Sequence, residues 1–498
     1  MDTKIDIKKI HLGKSTAEKE YNVLHNYYVS TRAYLNAKDE KKRKLIYIGH
    51  RGSGKSALFN QIAYGHKKAN SKSIIINIHP VEYSYDTFKR MNHDFFDIKA
   101  AYSIAWHYVL IIHAFKEVVK FFEDNKNIKT NRDNINIIST YLVKNDFKNP
   151  GSGLEVFLKF LSTIAKAKIT VKYDEFMVGG SLPPNAYVNM LNMNDIKQPL
   201  RALEAIASTY PIHIFIDELD TGWNNTNEAK NYVSGLLYAA MKLNGYLNIS
   251  VYLSLRQDMY NNLSSIFKDT EKIRDDIEFL KWDKAQLEAL ICRRIKDNKE
   301  VKEIYNGIEY VSNREILNLI FEEGVFEYIL KNTLQRPREL IHFCSQAIER
   351  YSETYLERQL YNKKIDLETI KSIENRISLD RLNDFCKEYD DEFNHIDSII
   401  WHFEGCYIKY TLPHFINTLE DAMISLDEQY PALEWLKPFW EKPIKLATKL
   451  FEIGFIKINI TNNPYDYFAY YEKNSPHNFS IVKSVKINNI FRSALQCI

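Results

Sequence analysis

The sequence predicts an α/β fold built on a parallel β-sheet, followed by a helical domain and a small C-terminal module. Four short runs of β-branched and other apolar residues suit buried strands: 45–48, 73–78, 212–216 and 249–255. A helical stretch joins the first two runs, which gives the β-α-β order of a parallel sheet. From residue 284 onward the apolar spacing becomes helical.

The strongest motif lies between the first strand and the first helix. Residues 49–56 read GHRGSGKS and fit G-x-x-x-x-G-K-[ST], the pattern of a P-loop. Glycines let backbone N–H groups turn toward a polyphosphate, and the following helix N-terminus adds partial positive charge. We expect Lys55 to reach the β- and γ-phosphates and Ser56 to ligate Mg²⁺. The predicted phosphate-binding residues are Gly49, His50, Arg51, Gly52, Ser53, Gly54, Lys55, Ser56 and Ala57.

Two carboxylates follow the buried strand 212–216. Ligands of open parallel sheets bind beyond the carboxyl ends of the strands, which favours a functional role for both. The position of Asp217 suits Mg²⁺ binding, and that of Glu218 suits polarisation of the water that attacks the γ-phosphate. We interpret the neighbouring Asp220 as a structural residue or a helix cap.

Several arginines are candidate nucleotide sensors. Arg256, or Ser254 before it, could sense the γ-phosphate at the end of strand 249–255, although Arg256 could instead pair with Asp258 or Asp217. Arg338, and second Arg336, open a helix at a proline and could point back toward the phosphates; two surface arginines are the alternative. Arg274 could act on the nucleotide of a neighbouring subunit or form a surface ion pair.

Composition narrows the class of protein. The chain has 498 residues, enough for about three domains. Its 67 basic and 64 acidic side chains nearly cancel, so net charge makes no case for nucleic-acid binding. Five scattered cysteines without metal-ligand spacing, and an N-terminus without an apolar signal core, predict a cytoplasmic protein. The apolar run 100–115 contains two histidines and is too short for a membrane span, so we expect a buried helix and no membrane association.

Four segments are predicted along the chain. Residues 1–40 form an N-terminal helical segment, with a helix over 16–35, and 41–283 form the P-loop core. The stretch 85–200 is too long for a crossover connection and reads as a largely helical insertion, with a turn at 149–153 and a hairpin over 169–180. Residues 284–390 form a helical lid, with one helix over 316–330.

Residues 391–498 predict a winged-helix-like domain. Helices over 393–403, 412–424 and 444–451 precede two strands, 454–460 and 465–471, joined by the turn 462–464. The third helix carries Lys442, Lys445 and Lys449, which could touch the phosphates of DNA. A winged helix that binds protein, with solvated lysines, is the alternative.

Taken together, these motifs resemble those of an AAA+/STAND-type ATPase of the origin-recognition-like branch. More narrowly, GHRGSGKSAL, FIDELDTGW, LSLRQDMY with KIRDDIEFLKWD, QRPRELIHFC and the ending FRSAL are similar to bacterial P-loop ATPases of anti-phage and conflict gene neighbourhoods. The resemblance implies Mg-ATP binding, homo-oligomerisation through the ATPase domain, and signalling through a separate protein effector. Strand 249–255 ends without the asparagine that many AAA+ proteins use as γ-phosphate sensor, which predicts slow hydrolysis.

Three functions compete at this point. The first is a slow ATPase whose nucleotide state gates oligomerisation and recruits an effector in bacterial defence. The second is a DNA-binding ATPase that loads onto duplex DNA through the winged helix. The third is a nucleotide-bound scaffold without turnover. A guanine-recognition motif does not follow the P-loop at a useful place, which favours ATP over GTP.

Overall fold

The structure is a computed structural model of the chain. It describes residues 5–39, 43–79, 98–128, 132–147, 196–220, 223, 225–246, 248–263, 273–306, 311–358, 364–472, 475–476 and 478–498. The predicted turn at 149–153 and the hairpin over 169–180 lie outside these residues.

The first sheet has five parallel strands. They are β1 Ile46–Ile48, β2 Ile74–Ile78, β3 Ile212–Ile216, β4 Ile249–Leu255 and β5 Ile277–Phe279. Their order across the sheet is β2-β3-β4-β1-β5. Ile46 of β1 pairs with Leu253 of β4 on one side and with Ile277 of β5 on the other. All residues of β3 and β4 are buried, as expected for continuous apolar strands covered on both faces.

The described part of the chain is rich in helices. They are α1 Leu24–Tyr27, α2 Arg32–Lys38, α3 Lys55–Ala69, α4 Ile98–Asp124, α5 Arg132–Lys144, α6 Lys197–Ala207, α7 Asn227–Leu243, α8 Gln257–Leu263, α9 Lys284–Lys296, α10 Lys299–Ile304, α11 Asn313–Leu317, α12 Val325–Lys331, α13 Pro337–Arg358, α14 Leu367–Tyr389, α15 Ile396–Trp401, α16 Leu412–Gln429, α17 Lys437–Trp440, α18 Pro443–Ile453 and α19 Asn489–Arg492. Side-chain caps begin several of them, including the capping box of Asp283 and Gln286 at α9.

The chain divides into two compact units. One comprises Arg32–Gly49 and Leu58–Phe279 and contains the parallel sheet. The other comprises Met1–Thr31, His50–Ala57 and Leu280–Ile498. We call them the sheet unit and the helical unit. The glycine-rich loop 50–57 therefore groups with the helices that follow the sheet in the chain.

The sheet unit has one continuous apolar core. Strands β1 to β4 contribute isoleucine, valine and leucine side chains, and α4 and α7 pack against each other beside them. Trp106 and Val109 of α4 are fully buried. The apolar run 100–115 is thus a buried helix, and none of the helices in the described ranges is long and apolar enough to cross a membrane.

The N-terminal segment differs from its prediction. A single helix over 16–35 is replaced by a 3₁₀ turn, Ala17–Glu20, and the short helices α1 and α2. Tyr28 leaves α1 in an extended conformation, and the β-branched and hydroxyl residues 29–31 that follow favour extended backbone and caps over helix. Glu20 is buried in the helical unit, where its carboxylate forms two hydrogen bonds with Arg294 of α9, at 3.2 and 2.8 Å.

The helical lid also corrects a prediction. The stretch 316–330 is not one helix, because α11 ends at Leu317 and α12 begins at Val325. Gly324, with φ of +83°, is the residue that precedes α12. A left-handed residue interrupts helical geometry, so the apolar spacing continues across the break although the helix does not.

The C-terminal module contains three main helices and a three-stranded antiparallel sheet. Its strands are β6 Lys409–Thr411, β7 Ile456–Asn459 and β8 Ser484–Ile487, in the order β6-β8-β7. The predicted partner of β7 is wrong: residues 465–471 contribute only an isolated bridge, Ile458 with Phe468, and the paired strand is β8. Gly454, at φ +95°, ends α18 and leads into β7.

Candidate nucleotide-binding site

The loop 50–57 connects β1 to α3 and has the backbone of an anion-binding turn. Gly52 and Gly54 have φ values of +76° and +92°, and helix α3 begins at Lys55. Alternation of left-handed and ordinary residues gathers backbone N–H groups into a concavity that suits anions. Lys55 bends back over the loop, and its Nζ donates to the His50 carbonyl at 3.2 Å.

Three carbonyls of this loop accept hydrogen bonds from the helical unit. Trp282 Nε1 donates to the Ser53 oxygen at 2.8 Å, and an Arg336 guanidinium nitrogen donates to the Arg51 oxygen at 3.3 Å. The Arg338 backbone N–H donates to the oxygen of Gly52 at 3.4 Å. A peptide's C=O and N–H point in opposite directions. Holding these carbonyls therefore directs the N–H groups of Gly52 and Gly54 away from the helices.

Arg338 packs directly on Gly52. A Cβ atom at Gly52 would lie 3.2 Å from the Arg338 Cβ, so the approach is tight and the positive φ adds strain for any other residue. Arg338 Nε is buried without a hydrogen-bond partner among the described residues. An unsatisfied buried donor is costly, so this guanidinium is suited to donate a hydrogen bond to an incoming anion.

Arg336 belongs to a buried charge cluster between α13 and α14. It lies 3.7 Å from a Glu388 oxygen and 3.8 Å from a Glu339 oxygen, while Arg381 pairs with the same two carboxylates at 3.4 and 3.1 Å. Burial opposes the charge of Arg336, but Glu388 and Glu339 outweigh it and hold its pKa above the usual value. The cluster is balanced, with two arginines and two glutamates. Through Arg336 it fixes the Arg51 carbonyl of the loop.

The C-terminal module also reaches the loop within the helical unit. The His50 ring meets the Tyr470 ring edge-on, with centroids 6.1 Å apart. Tyr470 in turn packs edge-on against Phe451 of α18, at 5.4 Å between centroids. The loop is therefore contacted by Trp282 just before α9, by the start of α13 and by the C-terminal module.

In the sheet unit, Asp217 lies at the carboxyl end of β3, on the same sheet edge as the ends of β1 and β4. Its side chain is nearly buried. One oxygen, Oδ1, accepts hydrogen bonds from the Glu218 backbone at 3.0 Å and from the Ser254 hydroxyl of β4. The carboxylate is thus fixed in orientation by two donors on a single oxygen.

This arrangement fits a divalent cation. Both hydrogen bonds fall on Oδ1 of Asp217, so among the described residues Oδ2 is left as a possible ligand, and Mg²⁺ prefers oxygen ligands from one or two carboxylates. Ser254, which the sequence offers as a possible γ-phosphate sensor, donates its hydroxyl to Asp217 in this structure.

Glu218 combines a left-handed backbone with a partly exposed side chain. Its φ of +62° is rare for a residue with a side chain and costs roughly 1–3 kcal/mol. The side chain is 40% exposed, and one of its oxygens lies 3.6 Å from His79 Nδ1 at the end of β2. Strain of this kind concentrates at functional sites.

Arg256 pairs with Asp258, which is one of the alternatives to γ-phosphate sensing that the sequence left open. It forms a two-pronged pair with Asp258, with Nε to Oδ1 at 3.0 Å and a second nitrogen to Oδ2 at 2.5 Å. The arginine is 6% exposed. Contact with a phosphate would therefore require Arg256 to leave or share this partner.

The remaining predicted residues are placed as follows. Ser56 and Ala57 lie in the first turn of α3 and are half-buried, while Arg51 is exposed at the tip of the loop. Gly49 directly follows β1, and its N–H donates to the Leu255 carbonyl at 3.1 Å. Arg274 is exposed in a 3₁₀ turn before β5.

Sequence reasoning missed Trp282 and Tyr470. Both contact loop 50–57 and are far from it in the chain, and neither is a predicted site residue. Trp282 does lie in the segment KIRDDIEFLKWD, which carries part of the family resemblance, but nothing in that segment points to the loop. Tyr470 has no signal either, because it lies in a stretch that predicts a strand.

Two comparisons with known proteins give matches. The family model of the FunZ-associated C-terminal helical domain matches residues 285–386, which lie within the predicted lid. An Escherichia coli protein of 80.3 kDa, named for transposon gamma-delta, is 25% identical over 469 residues. That alignment covers 93% of this chain and 63% of the relative, so the chain spans less than two thirds of the relative's length.

Proposed function

We propose that this chain is a Mg-ATP-binding, slowly hydrolysing ATPase that acts as a nucleotide-gated, oligomerising switch. The observation that carries the proposal is the loop 50–57, where two left-handed glycines lead directly into a helix that begins at Lys55. Such a loop presents inward N–H groups and a helix N-terminus to a polyphosphate. It follows β1, which has a parallel neighbour on each side in the sheet.

Each candidate residue has a specific task in this proposal. The N–H groups of Gly52 and Gly54 bind phosphate oxygens, and Lys55 exchanges its bond to the His50 carbonyl for the β- and γ-phosphates. Arg338, with a buried unsatisfied Nε, senses the γ-phosphate. Glu218 accepts the proton of the attacking water; its exposed side chain and left-handed backbone suit that role.

Ser56 and Asp217 are the Mg²⁺ ligands that the two sequence motifs predict, and a bound Mg²⁺ would supply neutralisation of charge on the β- and γ-phosphates. Ser254 keeps the Asp217 carboxylate in one orientation through its hydroxyl. Arg256 is a weaker sensor candidate than Arg338, because Asp258 already occupies its guanidinium.

The proposed nucleotide-gated switch depends on the contacts that the helical unit makes with loop 50–57. Trp282, Arg336 and Tyr470 come from three parts of the helical unit and all contact loop 50–57. A nucleotide that reshapes the loop must change these contacts, so binding energy is available to move the lid and the C-terminal module. The resemblance to AAA+/STAND ATPases suggests that this movement exposes a surface for self-assembly and for a protein effector.

We interpret residues 391–498 as a winged-helix domain, on the basis of their element order. A helix, a short strand, two longer helices and two strands succeed one another, and the first strand pairs with the last. A DNA-binding loader remains the second candidate function. One lysine of the helix that the sequence predicts to contact DNA, Lys449, already pairs with Glu452 at 2.7 Å. This pairing weakens the case for a DNA-binding role of that helix.

The role in anti-phage defence rests on resemblance alone. The Escherichia coli relative is named for a transposon, and its name mentions neither an activity nor a defence system. A cytoplasmic location is likewise a prediction from the sequence.

Size-exclusion chromatography with light scattering tests the switch. Wild type, Lys55→Ala and Glu218→Gln are compared with and without Mg-ATP, alongside Asp220→Asn as a matched carboxylate control at the same strand end. We expect Glu218→Gln to accumulate a larger assembly with ATP, because binding persists while hydrolysis stops, and Lys55→Ala to stay small. Asp220→Asn should behave as wild type.

The outcomes separate the hypotheses. If all four proteins elute alike under every condition, gating by self-assembly is wrong. If Glu218→Gln assembles but hydrolyses ATP at the wild-type rate, Glu218 is not the general base. If wild type binds ATP without any turnover, the scaffold hypothesis replaces the ATPase.

A further inference from the structure

The outer face of the C-terminal sheet carries a row of three lysines. Lys409 of β6 and Lys457 of β7 both pair in register with Lys486 of the central strand β8. Side chains at one register position point to the same face, and neighbouring strands are about 4.8 Å apart. The next residue along each strand faces the core instead: Tyr410, Ile458, Val485 and Ile487 are buried.

This row is electrostatically unfavourable without a partner. Like charges directly opposite one another on neighbouring strands destabilise a sheet. Burial, followed by the charges of Lys457, Lys409 and Arg492, lowers the pKa of Lys486 to about 8. The lysine–carboxylate pairs seen in the described part of this module involve other lysines, Lys437 and Lys449. An external polyanion would relieve the repulsion.

Exposed aromatic rings lie beside the row. Tyr465 is 83% exposed, and the Lys409 ammonium lies 5.7 Å from the centre of its ring and 5.8 Å from that of Tyr467. The Tyr467 hydroxyl is within 3.1 Å of the Ser484 hydroxyl, which holds that ring against the outer face. Cations that track a backbone, next to rings on which bases stack, are how proteins bind single-stranded nucleic acids.

We propose that this face binds single-stranded nucleic acid, with phosphates on Lys409, Lys486 and Lys457 and a base stacked on Tyr465. An acidic protein surface fits the lysines equally well but gives no reason for a ring as exposed as Tyr465. The face is distinct from α18, on which the sequence predicts phosphate contacts. It requires no nucleotide and does not depend on the ATPase proposal.

Fluorescence anisotropy with a labelled oligothymidylate of about 20 nucleotides, longer than one typical binding site, tests this on the full chain without ATP. Lys409→Gln/Lys457→Gln is compared with Lys442→Gln/Lys445→Gln, which removes the same charge from the exposed face of α18. We expect the sheet variant to bind about tenfold more weakly, with a slope of log K against log salt that is smaller by about 1.4, since each phosphate contact contributes about 0.7. The α18 variant should bind as wild type.

Tyr465→Leu separates stacking from charge. It should weaken binding about tenfold and leave the salt slope unchanged, because a lost stack removes no counterion release. Both double variants should have the melting temperature of wild type. If the sheet variant melts at a lower temperature, the binding measurement is repeated with the single variant Lys486→Gln.

Four results would overturn the proposal. They are no binding by wild type at low salt, equal losses in the two double variants, equal affinity for a duplex of the same sequence, and equal competition by polyglutamate at matched charge. The last result would identify an acidic protein partner instead.

Discussion

Lys55 illustrates how a single side chain changes partner when a ligand arrives. Its ammonium is bonded to the carbonyl of His50, five residues earlier, so the loop holds its own cation in place. Replacing that carbonyl by a phosphate exchanges a neutral acceptor for a charged one, and charge-assisted hydrogen bonds are roughly twice as strong. The Lys55 ammonium is therefore already held beside the loop, where it can exchange the His50 carbonyl for an anion.

Lys55→Ala should weaken ATP binding about 10- to 100-fold, the range expected when charge-assisted bonds of about 1.5–3 kcal/mol are lost. A fluorescent ATP analogue measures the affinity. Lys67→Ala, on the exposed side of the same helix α3, is the control and should bind as wild type. Unchanged affinity in Lys55→Ala would remove the main support for the P-loop assignment.

Gly13 shows what a side chain costs where backbone and packing both forbid it. Its φ is +75°, and a Cβ atom there would collide with the Glu20 carboxylate and lie 2.9 Å from an Arg294 nitrogen. Gly405 has a similar φ of +68°, but a Cβ there would meet nothing within 4 Å. The two positions therefore separate backbone strain from steric overlap.

We expect Gly405→Ala to lower the free energy of unfolding by about 1–2 kcal/mol, the cost of a left-handed residue. Gly13→Ala adds overpacking of about 1–3 kcal/mol and should lose about 2–5 kcal/mol in total. Urea denaturation followed by circular dichroism measures both. Equal losses would show that Glu20 and Arg294 move aside without penalty.

At the scale of elements, α13 and α14 are joined by the four-residue charge cluster. Removing Arg336 or Glu388 alone leaves an unbalanced buried charge, whereas removing both leaves Arg381 paired with Glu339 at 3.1 Å. Glu388→Gln or Arg336→Met should each cost about 3–5 kcal/mol, and Arg336→Met/Glu388→Leu should recover most of the loss.

Urea denaturation of the three variants tests this coupling. Glu323→Gln is the control, because its pair with Arg314 is largely exposed on both sides and should contribute no measurable stability. A double variant that loses the sum of the two single losses would mean that the charges act independently.

The elements of the sheet unit could be predicted well from the sequence, and those of the helical unit less well. Strands β2, β3 and β4 coincide with apolar runs rich in β-branched residues, and α4 contains the whole apolar run 100–115. The predicted partner of β7 failed because the aromatic-rich stretch 465–471 has the stronger strand propensity, whereas the strand that pairs, 484–487, is only four residues long. Only packing decides which of them pairs.

The residues of the candidate site also differ in how far the sequence could predict them. Its motif residues are local in sequence, so their types and order could be predicted. The contacts of Trp282, Arg336 and Tyr470 with loop 50–57 span hundreds of residues, and no local pattern encodes them. The Ser254–Asp217 bond depends on the neighbouring positions of β3 and β4, which the strand order alone determines.

At the scale of the whole molecule, buried histidines make the sheet unit sensitive to acid. Burial, with Lys242 nearby, lowers the pKa of His107 to about 3, and burial, with His66 and Arg43 nearby, does the same for His213. Both are neutral in the folded state, while the unfolded chain takes up protons below its pKa of about 6.5. Stability is therefore full above pH 6.5 and falls as the pH drops toward 3.

Each histidine should lower the free energy of unfolding by up to about 1.4 kcal/mol per pH unit below 6.5. Hydrogen exchange of α4 between pH 6.5 and 5.0, corrected for the intrinsic exchange rate, reports this for the sheet unit. His107→Gln should remove the contribution of one histidine from the slope of unfolding free energy against pH. His342→Gln replaces an exposed histidine of the helical unit and should leave that slope unchanged. An unchanged slope in His107→Gln would mean that His107 takes up its proton without unfolding.

The pairing of Glu20 with Arg294 has a consequence for how the protein is made. The two residues are 274 positions apart, and the first segment of the helical unit is synthesised long before its partners. At about 5–20 residues per second, a ribosome needs on the order of 14–55 s to bridge that gap. During this time the N-terminal segment must wait with an unpaired carboxylate and exposed apolar side chains, while the sheet unit between them is completed. The helical unit can therefore complete its core only after the whole sheet unit has been synthesised.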